Sequence, residues 1–406
     1  MTDLFSPFDL SGLRLPNRVV MPPLTRSRGL NDAATEQVAL YYTQRATAGL
    51  IIAEGSPISN EGQGYLYNPG IFNPEQIDGW RLVTDSVHSA GGRIFLQIWH
   101  VGRISHTSIQ HGGRAPVSST ARTAEGSMAF GRDGEGNAAF VPASPPRALG
   151  TEEVGRVVAD FARAARNAVR AGFDGVELHA ANGYLFDQFM NPLVNDRTDR
   201  YSAATMEGRL RFTLETVDAV AAAIGPGRVG IRLTPYGVIN SMPPFAETAE
   251  SYLALSRALG QRRIAYIHVM DQTGFFNTPQ GQKPTSDAIR ELMVRWRVEA
   301  PGVALILDGG LTRERADELI SAGVIDLAGF GQPYIANPDL VARLRNGWPL
   351  TPADRATYYT GGPRGYIDYP PYRPGCGHAA ESPPVQAAPR AEPVYPGAGA
   401  PAGAGC

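Results

Sequence analysis

The sequence predicts an α/β fold in which eight parallel strands close into a (β/α)8 (TIM) barrel. Three observations lead to this prediction. The apolar runs that would form strands are hydrophobic throughout, which is typical of parallel strands covered on both faces. Helical segments with an apolar face separate these runs, as in other parallel sheets. The runs number eight, and this count favours a closed barrel over an open sheet.

The predicted elements alternate regularly along the chain after a turn-rich opening, residues 4–16, which would cap one end of the barrel. The predicted strands are 18–23, 50–55, 93–99, 174–179, 228–233, 265–270, 303–308 and 325–330. The predicted helices are 36–48, 74–90, 151–171, 206–224, 247–259, 286–299, 312–321 and 337–345.

Local signals set several of these boundaries. A double proline stops the first strand, and Gly55 ends the second. Asn73 is a favourable N-cap because proline follows it at the first helical position. Thr151, which precedes two acidic residues, and Thr312 are expected to cap their own helices.

Two stretches do not follow the alternation of strands and helices. Residues 105–149, after the third strand, are rich in Gly, Ser, Pro and Arg. They contain two short alternating pieces, 127–130 and 138–141, which could pair as a hairpin, and so long an insertion is typical of a lid or binding loop. From about residue 379 the chain is rich in Pro, Ala and Gly without periodicity. We therefore predict one barrel domain over 1–375 and a disordered tail over 376–406.

Composition argues against several classes of protein. The chain has 406 residues, of which 43% are hydrophobic and 19% charged, with a net charge of -2. Nothing in this balance indicates a nucleic-acid or membrane partner. Cys376 and Cys406 are the two cysteines, too few for a four-cysteine metal site, and no metal is predicted. Lys283 is the one lysine, which argues against Schiff-base chemistry at a strand end. With no signal sequence or apolar span, a cytoplasmic enzyme is expected.

The segment after the fourth predicted strand carries the clearest chemical signal. His179 and Asn182 are three residues apart, so one turn of helix would place them on the same side. Two neutral donors that converge suit a carbonyl oxygen that gains negative charge during a reaction. Tyr184 adds a hydroxyl that could donate a proton. The alternative is a strand-end histidine bound to the backbone, with Asn182 and Gly183 simply making a turn.

Further polar residues are predicted at the carboxyl ends of the strands, where barrels of this type have their active sites. Thr25, Gln97 and Arg232 include no nucleophile and together suit a flat polar ring system. Each also has a plainer interpretation, as a turn residue, an inward barrel residue or a member of a structural ion pair. Because no Gly-x-Ser-x-Gly motif or Walker loop is present, a bound organic cofactor is expected to supply the chemistry.

Glycine-rich loops follow the seventh and eighth predicted strands. Backbone N–H groups in such loops can approach a phosphate closely, and this pair of loops is a common phosphate site in the fold. The alternative is that Gly310 makes a tight turn and Gly331 a close contact between strand and helix.

The chain from about residue 4 to 372 resembles the Old Yellow Enzyme family of FMN-dependent ene-reductases. Two of the matching motifs are Gln-Ile-Trp-His-Val-Gly-Arg at 97–103 and His-Ala-Ala-Asn-Gly-Tyr-Leu at 179–185. Having Thr25 rather than cysteine indicates the branch of the yeast enzyme and the bacterial N-ethylmaleimide and nitrate-ester reductases. The other matching stretches are 17–26, 53–55, 195–201, 230–232, 334–340 and 365–370.

The resemblance implies FMN at the barrel mouth, with NADPH as a transient reductant that leaves before an electrophilic alkene enters. His179 and Asn182 would bind the carbonyl or nitro oxygen of the substrate, and Tyr184 would be the proton donor. The charge of Arg232 would stabilise reduced flavin. The implied cofactor contacts are Pro23, Thr25, Gly55, Gln97, Arg232, Gly309, Gly310, Gly331 and Gln332. The implied walls of the substrate pocket are Trp99, Tyr65 and Tyr359.

One position departs from the family pattern. The family usually carries Gly-Arg after the eighth strand, with the arginine on the FMN phosphate, whereas this chain has Gly331-Gln332. Losing a charge-assisted contact would cost roughly 1–3 kcal/mol of FMN binding. Arg313, at the start of the preceding helix, is a candidate to supply the charge instead.

Several functions remain open from the sequence. The first is NADPH-dependent reduction of the C=C bond of α,β-unsaturated carbonyl compounds, by a monomer or homodimer. A nitrate-ester or nitroaromatic reductase would use the same site. A low-turnover flavin-binding redox protein and a phosphate-sugar isomerase or aldolase barrel are further alternatives, and the missing strand-end lysine counts against the aldolase.

Overall fold

Eight parallel strands form a closed barrel in the computed structural model, which describes residues 2–272, 286–359 and 361–374. The predicted (β/α)8 fold is therefore confirmed. The strands in chain order are β1 (Phe8–Leu10), β2 (Leu13–Leu15), β3 (Val19–Met21), β4 (Leu50–Pro57), β5 (Ile94–Trp99), β6 (Val117–Ser118), β7 (Met128–Arg132), β8 (Ala138–Pro142), β9 (Arg147–Ala148), β10 (Gly175–Ala180), β11 (Val229–Leu233), β12 (Tyr266–Met270), β13 (Ala304–Asp308) and β14 (Leu327–Gly329). The barrel closes in the order β10-β11-β12-β13-β14-β3-β4-β5.

Helices alternate with the barrel strands along the chain. The observed bounds of α5 and α7 match the predicted ones. Two six-residue helices, α4 and α9, were not predicted because they are too short to show an amphipathic pattern. The helices are α1 (Glu36–Thr43), α2 (Pro74–Ser89), α3 (Thr151–Arg170), α4 (Leu185–Met190), α5 (Met206–Ile224), α6 (Thr248–Arg262), α7 (Ser286–Glu299), α8 (Arg313–Ser321), α9 (Gly331–Ala336) and α10 (Leu340–Asn346).

Helix caps explain where some of these helices begin. Asn73 caps α2 and Thr312 caps α8, as predicted. The expectation that Thr151 caps α3 is wrong, because Gly150 occupies the N-cap position. The carboxylate of Glu153 accepts the Gly150 N–H at 2.8 Å, so an acidic side chain three residues into the helix replaces a capping hydroxyl.

The N-terminal hairpin closes one end of the barrel, as predicted. Strands β1 and β2 pair antiparallel, from Phe8 opposite Leu15 to Leu10 opposite Leu13. Leu10 and Leu15 are buried in one apolar cluster with Phe95 and Ile306 of the barrel strands. Burying these side chains removes apolar surface from water and fixes the hairpin to the barrel.

The insertion between β5 and α3 contains the predicted hairpin. Strands β7 and β8 pair antiparallel with Phe130 opposite Phe140. The ring of Phe140 lies 5.5 Å from that of Tyr359, and Phe130 forms a bridge with Tyr65. The insertion therefore contacts two of the aromatic residues expected in the substrate pocket.

Several sequence predictions fall on residues that the structure does not describe. They concern Lys283, Cys376, Cys406 and the tail over 376–406. In the described ranges, none of the helices is long and apolar enough to cross a membrane. Within those ranges, too, no group of three or more His, Cys, Asp or Glu side chains could hold a metal ion.

Candidate active site

His179 lies near the carboxyl end of β10, against two aromatic side chains. Its ring centroid is 4.9 Å from that of Tyr184 and 5.8 Å from that of Trp99. The rings of Trp99 and Tyr184 are 5.4 Å apart and nearly perpendicular. The structure thus brings together three residues that the sequence assigned to one site.

The imidazole of His179 is held in its neutral form. Burial lowers its pKa well below the usual value, and the nearby charges of Arg232 and His268 lower it further. Its Nδ1 atom is buried and has no hydrogen-bond partner within the described residues. A neutral, buried imidazole is suited to hydrogen-bond an oxygen that gains charge during a reaction.

Asn182 follows His179 through a tight turn rather than through a helix. The expectation of a helical turn is wrong, because Asn182 has a φ of 60° in the left-handed region. Its backbone N–H donates to the hydroxyl of Thr234 at 2.9 Å, and the next N–H, of Gly183, donates to the Asp187 carboxylate at 2.8 Å. These two bonds hold the turn, and α4 begins after it.

The side-chain amide of Asn182 has a defined orientation. A backbone N–H can only donate, so the bond from Val238 N at 3.3 Å identifies the acceptor on Gln272 as Oε1. The Nε2 of Gln272 then donates to Oδ1 of Asn182 at 2.9 Å. This bond leaves the NH2 group of Asn182 to donate elsewhere. Sequence reasoning missed Gln272, and only its position just after the sixth barrel strand could have indicated it.

Aromatic residues from separate parts of the chain line the barrel mouth beside Tyr184. The Tyr184 hydroxyl lies 3.4 Å from that of Tyr65. The ring of Tyr65 stacks with Trp99 at 5.7 Å and with Tyr359 at 6.3 Å between centroids. The three predicted pocket residues, Tyr65, Trp99 and Tyr359, are therefore neighbours.

A row of buried polar side chains crosses the barrel interior and joins Gln97 to Arg232. Gln97 Nε2 donates to Glu177 Oε1 at 2.8 Å, and the other oxygen of Glu177 lies 2.8 Å from His268 Nδ1. His268 Nε2 is 3.6 Å from Asp308 Oδ1, and Asp308 forms an ion pair with Arg232. The sequence analysis missed the roles of Glu177, His268 and Asp308. The available signal was a charged or polar residue within an otherwise apolar strand.

The same row bears on the plainer interpretations of Gln97 and Arg232. As the plainer interpretations predicted, Gln97 is an inward barrel residue and Arg232 forms an ion pair. Each retains a group for a further partner. The Nε2 of Gln97 is used by Glu177, which leaves its carbonyl oxygen as an acceptor. The Nε of Arg232 is buried and has no partner among the residues described.

The glycines predicted at the site differ in what they require. Gly55 does not end its strand as predicted, because β4 continues to Pro57. A Cβ at Gly55 would lie 2.3 Å from the Trp99 ring, so this strand position needs glycine. Gly309 has a φ of 116°, and a Cβ there would lie 2.2 Å from the Asp271 carbonyl oxygen. Gly310 has a φ of 81° with open space around it, which fits a tight turn. A Cβ at Gly331 would meet Leu24 at 3.4 Å, an ordinary contact, so close packing does not explain this glycine.

The remaining predicted residues lie around the same mouth. Pro23 is buried and Thr25 half-buried, just after β3. Gln332 is exposed in α9 and donates to the Tyr358 hydroxyl at 3.2 Å. Arg313 is already engaged, because its guanidinium lies 3.5 Å from Asp317 and donates to the Leu344 carbonyl at 3.0 Å.

The chain is similar to known reductases over most of its length. A 12-oxophytodienoate reductase of Arabidopsis thaliana (reductase 2) is 40% identical over 370 residues, which cover 90% of this chain and 95% of that protein. 12-Oxophytodienoate reductase 1 of Oryza sativa subsp. japonica is 39% identical over 375 residues, 90% of this chain and 92% of that protein.

Solved structures show the same likeness in three dimensions. A structure of morphinone reductase in complex with tetrahydroNAD is 42% identical, with a TM-score of 0.86, and the match covers 93% of this chain and 99% of that one. The Old Yellow Enzyme homologue from Zymomonas mobilis is 36% identical, with a TM-score of 0.83 and coverage of 91% and 99%.

The fold, the site and these relatives together define an FMN-dependent oxidoreductase of the (β/α)8-barrel class. The chain belongs to the NADH:flavin oxidoreductase / NADH oxidase family, whose model matches residues 3–351. The resemblance to the Old Yellow Enzymes is therefore confirmed.

Proposed function

We propose that this protein uses NADPH to reduce the C=C bond of α,β-unsaturated carbonyl compounds, and that nitro compounds can enter the same site. The observation that carries the proposal is a neutral, buried His179 followed three residues later by an Asn182 whose amide is oriented by Gln272. Two such donors stabilise negative charge on a substrate oxygen without themselves losing a proton.

FMN bound at the mouth would supply a hydride for the β carbon of the alkene. The side chains of this protein would orient the substrate and complete the proton balance. His179 and Asn182 hold the carbonyl oxygen, which makes the β carbon electrophilic. Tyr184 would then donate its phenolic proton to the α carbon, a general-acid role open to a tyrosine.

We propose the cofactor contacts that the family resemblance implies, and the geometry of the mouth is compatible with them. Gln97 retains an acceptor and Arg232 a donor for a polar ring, and backbone N–H groups of the glycine-rich loops after β13 and β14 would bind the phosphate. Stacked Tyr65, Trp99 and Tyr359 would form the walls of the substrate pocket. The complete set of proposed FMN contacts is Pro23, Thr25, Gly55, Gln97, Arg232, Gly309, Gly310, Gly331 and Gln332.

The names of the relatives support this class of reaction. They are reductases of 12-oxophytodienoate and of morphinone, and one was solved with a reduced nicotinamide analogue. We extend reduction of this kind to the present chain. The choice of NADPH over NADH is part of the proposal, as are a cytoplasmic location and a monomer or homodimer, and steady-state rates with each coenzyme test the first of these.

Phenol binding tests the roles of His179 and Asn182. Phenolates resemble the enolate that forms when hydride adds to an enone. The double variant His179→Ala/Asn182→Ala should bind a para-substituted phenol at least tenfold more weakly, because both donors to the phenolate oxygen are lost. It should still bind FMN. An unchanged charge-transfer band on phenol titration would contradict the proposal.

A further inference from the structure

The charge of Arg232 has a partner inside the barrel. Its guanidinium forms an ion pair with the carboxylate of Asp308, the last residue of β13, and both side chains are only 6% exposed. Burying an isolated charge is costly, so a contact of this kind removes a large penalty for both groups. The pair also reduces the field that the guanidinium exerts on anything bound beside it.

Asp308 is ionised in this position. Burial acts to raise its pKa, but the positive charges of Arg232 and His268 outweigh this effect and hold the pKa below its usual value. The barrel also leaves space for this side chain, because a Cβ at Gly329 on the neighbouring strand would lie 2.6 Å from the Cβ of Asp308. The ion pair is therefore part of the local packing.

His268 lies between the carboxylates of Glu177 and Asp308. Its Nδ1 lies 2.8 Å from Glu177 and its Nε2 lies 3.6 Å from Asp308, so both ring nitrogens face carboxylates. Burial acts to lower the pKa of His268, but the two carboxylates raise it above its usual value. Asp308 is the carboxylate of this row that contacts Arg232.

We propose that Asp308 is a positioning residue that lowers the reduction potential of bound FMN by neutralising the charge of Arg232. This inference rests on the proposed function, in which Arg232 lies beside the flavin. Reduction adds negative charge to the cofactor, and an unpaired guanidinium would stabilise that charge. Paired with Asp308, Arg232 retains its hydrogen-bonding donors but stabilises the added charge less. The cofactor is then a stronger hydride donor toward the substrate.

The test compares reduction potentials of FMN-loaded proteins by equilibration with a redox dye. Asp308→Asn keeps the size of the side chain and removes its charge. At a fixed potential, the ratio of reduced to oxidised flavin should rise at least tenfold, which corresponds to about 30 mV for a two-electron couple. Asp308→Glu keeps the charge, so its reduction potential should stay closer to that of the unmodified protein.

Asp218→Asn is the matched control. It also removes one carboxylate that is bound to an arginine, Arg262 at 2.6 Å, but this pair lies on the outer helices, with Asp218 55% exposed and Arg262 24% exposed. Its potential should match that of the unmodified protein. Asp308→Ala serves as a second neutral variant if Asp308→Asn does not fold, and a potential that rises in it supports the inference equally.

The outcomes separate this inference from the proposed function. A protein that takes up no FMN would contradict the proposed function. If FMN binds normally but Asp308→Asn and Asp308→Ala have the potential of the Asp218→Asn control, or a more negative one, then Asp308 serves stability alone and the inference is wrong.

Discussion

Gln272 should control substrate binding without contacting the substrate. It determines which end of the Asn182 side-chain amide faces Gln272 and which end remains for the substrate. In the structure its Nε2 donates to Asn182 Oδ1 at 2.9 Å, while its Oε1 accepts the Val238 N–H at 3.3 Å. Gln272→Glu replaces the donor by an acceptor of the same shape. At pH 8 two oxygens would then face each other, and the Asn182 amide should rotate to present its NH2 group to the new carboxylate.

The size of the effect follows from the bonds that change. The rotated amide offers an oxygen to the substrate oxygen, which removes a hydrogen bond and leaves two acceptors facing each other. These losses amount to roughly 1.5–4 kcal/mol, or about a 10- to 1,000-fold weaker phenol affinity. Gln272→Leu removes the donor without adding an acceptor, so either amide orientation is allowed. Its loss should be only about two- to fivefold.

Spectrophotometric phenol titration of the FMN-loaded variants measures these affinities. The matched control is a double-mutant cycle with Asn182→Ala, in which Gln272→Glu should have little further effect because the amide that it reorients is gone. Phenol affinity of Gln272→Glu equal to that of the unmodified protein would refute the argument. An undiminished effect of Gln272→Glu in the Asn182→Ala background would show that Gln272 acts by another route.

Three further predictions concern other residues of the site and its support. Tyr184→Phe should slow the alkene half-reaction by roughly 10²–10⁴-fold in stopped-flow measurements, because this step needs a proton at carbon. Flavin reduction by NADPH needs no such proton and should be nearly unchanged. A slower NADPH step would show that Tyr184 has a role other than proton donor. Gln332→Arg should tighten FMN binding by roughly tenfold or more, measured by fluorescence on dilution, because it adds a charge-assisted contact. An FMN affinity equal to that of the unmodified protein would refute this prediction. Burial raises the pKa of Asp187 to about 7, so its ionisation opposes folding and stability should fall as the pH rises from about 4 to 7. Asp187→Asn should remove at most about 3 kcal/mol of that fall between pH 5 and pH 8 in urea unfolding, and an unchanged pH dependence would contradict the assignment.

The barrel could be predicted from the sequence because its strands are buried on both faces and therefore apolar throughout. The eight predicted strands differ from the observed ones by two residues or fewer at each end. The six-residue α4 and α9 could not be predicted in the same way. They contain fewer than two turns, so no periodic apolar face develops.

The site was predictable to the extent that its residues share one strand end. His179, Asn182 and Tyr184 are close in the chain, so their proximity needed no knowledge of the fold. Their local geometry was predicted wrongly, because the helical spacing argument overlooked the Asn-Gly pair at 182–183, which is a strong turn signal. Asn182 adopts the left-handed conformation that this pair favours.

The buried charges were beyond the reach of sequence reasoning. Glu177, His268 and Asp308 lie on three different strands, and their contacts depend on barrel closure and strand register. His268 pairs in register with Arg232 on β11 and Ile306 on β13. A polar residue in an apolar strand can be recognised from sequence, but its partner follows only from the way in which the strands are aligned.

The central claim is that this barrel transfers hydride from reduced FMN to an activated alkene. The most direct measurement is a single turnover without oxygen. The purified yellow protein is bleached with one equivalent of NADPH and then mixed with an unsaturated ketone such as 2-cyclohexenone. We predict that the flavin absorbance returns and that one saturated ketone forms per flavin. A colourless protein that takes up no added FMN, or a bleached protein that stays bleached until oxygen enters, would contradict the account.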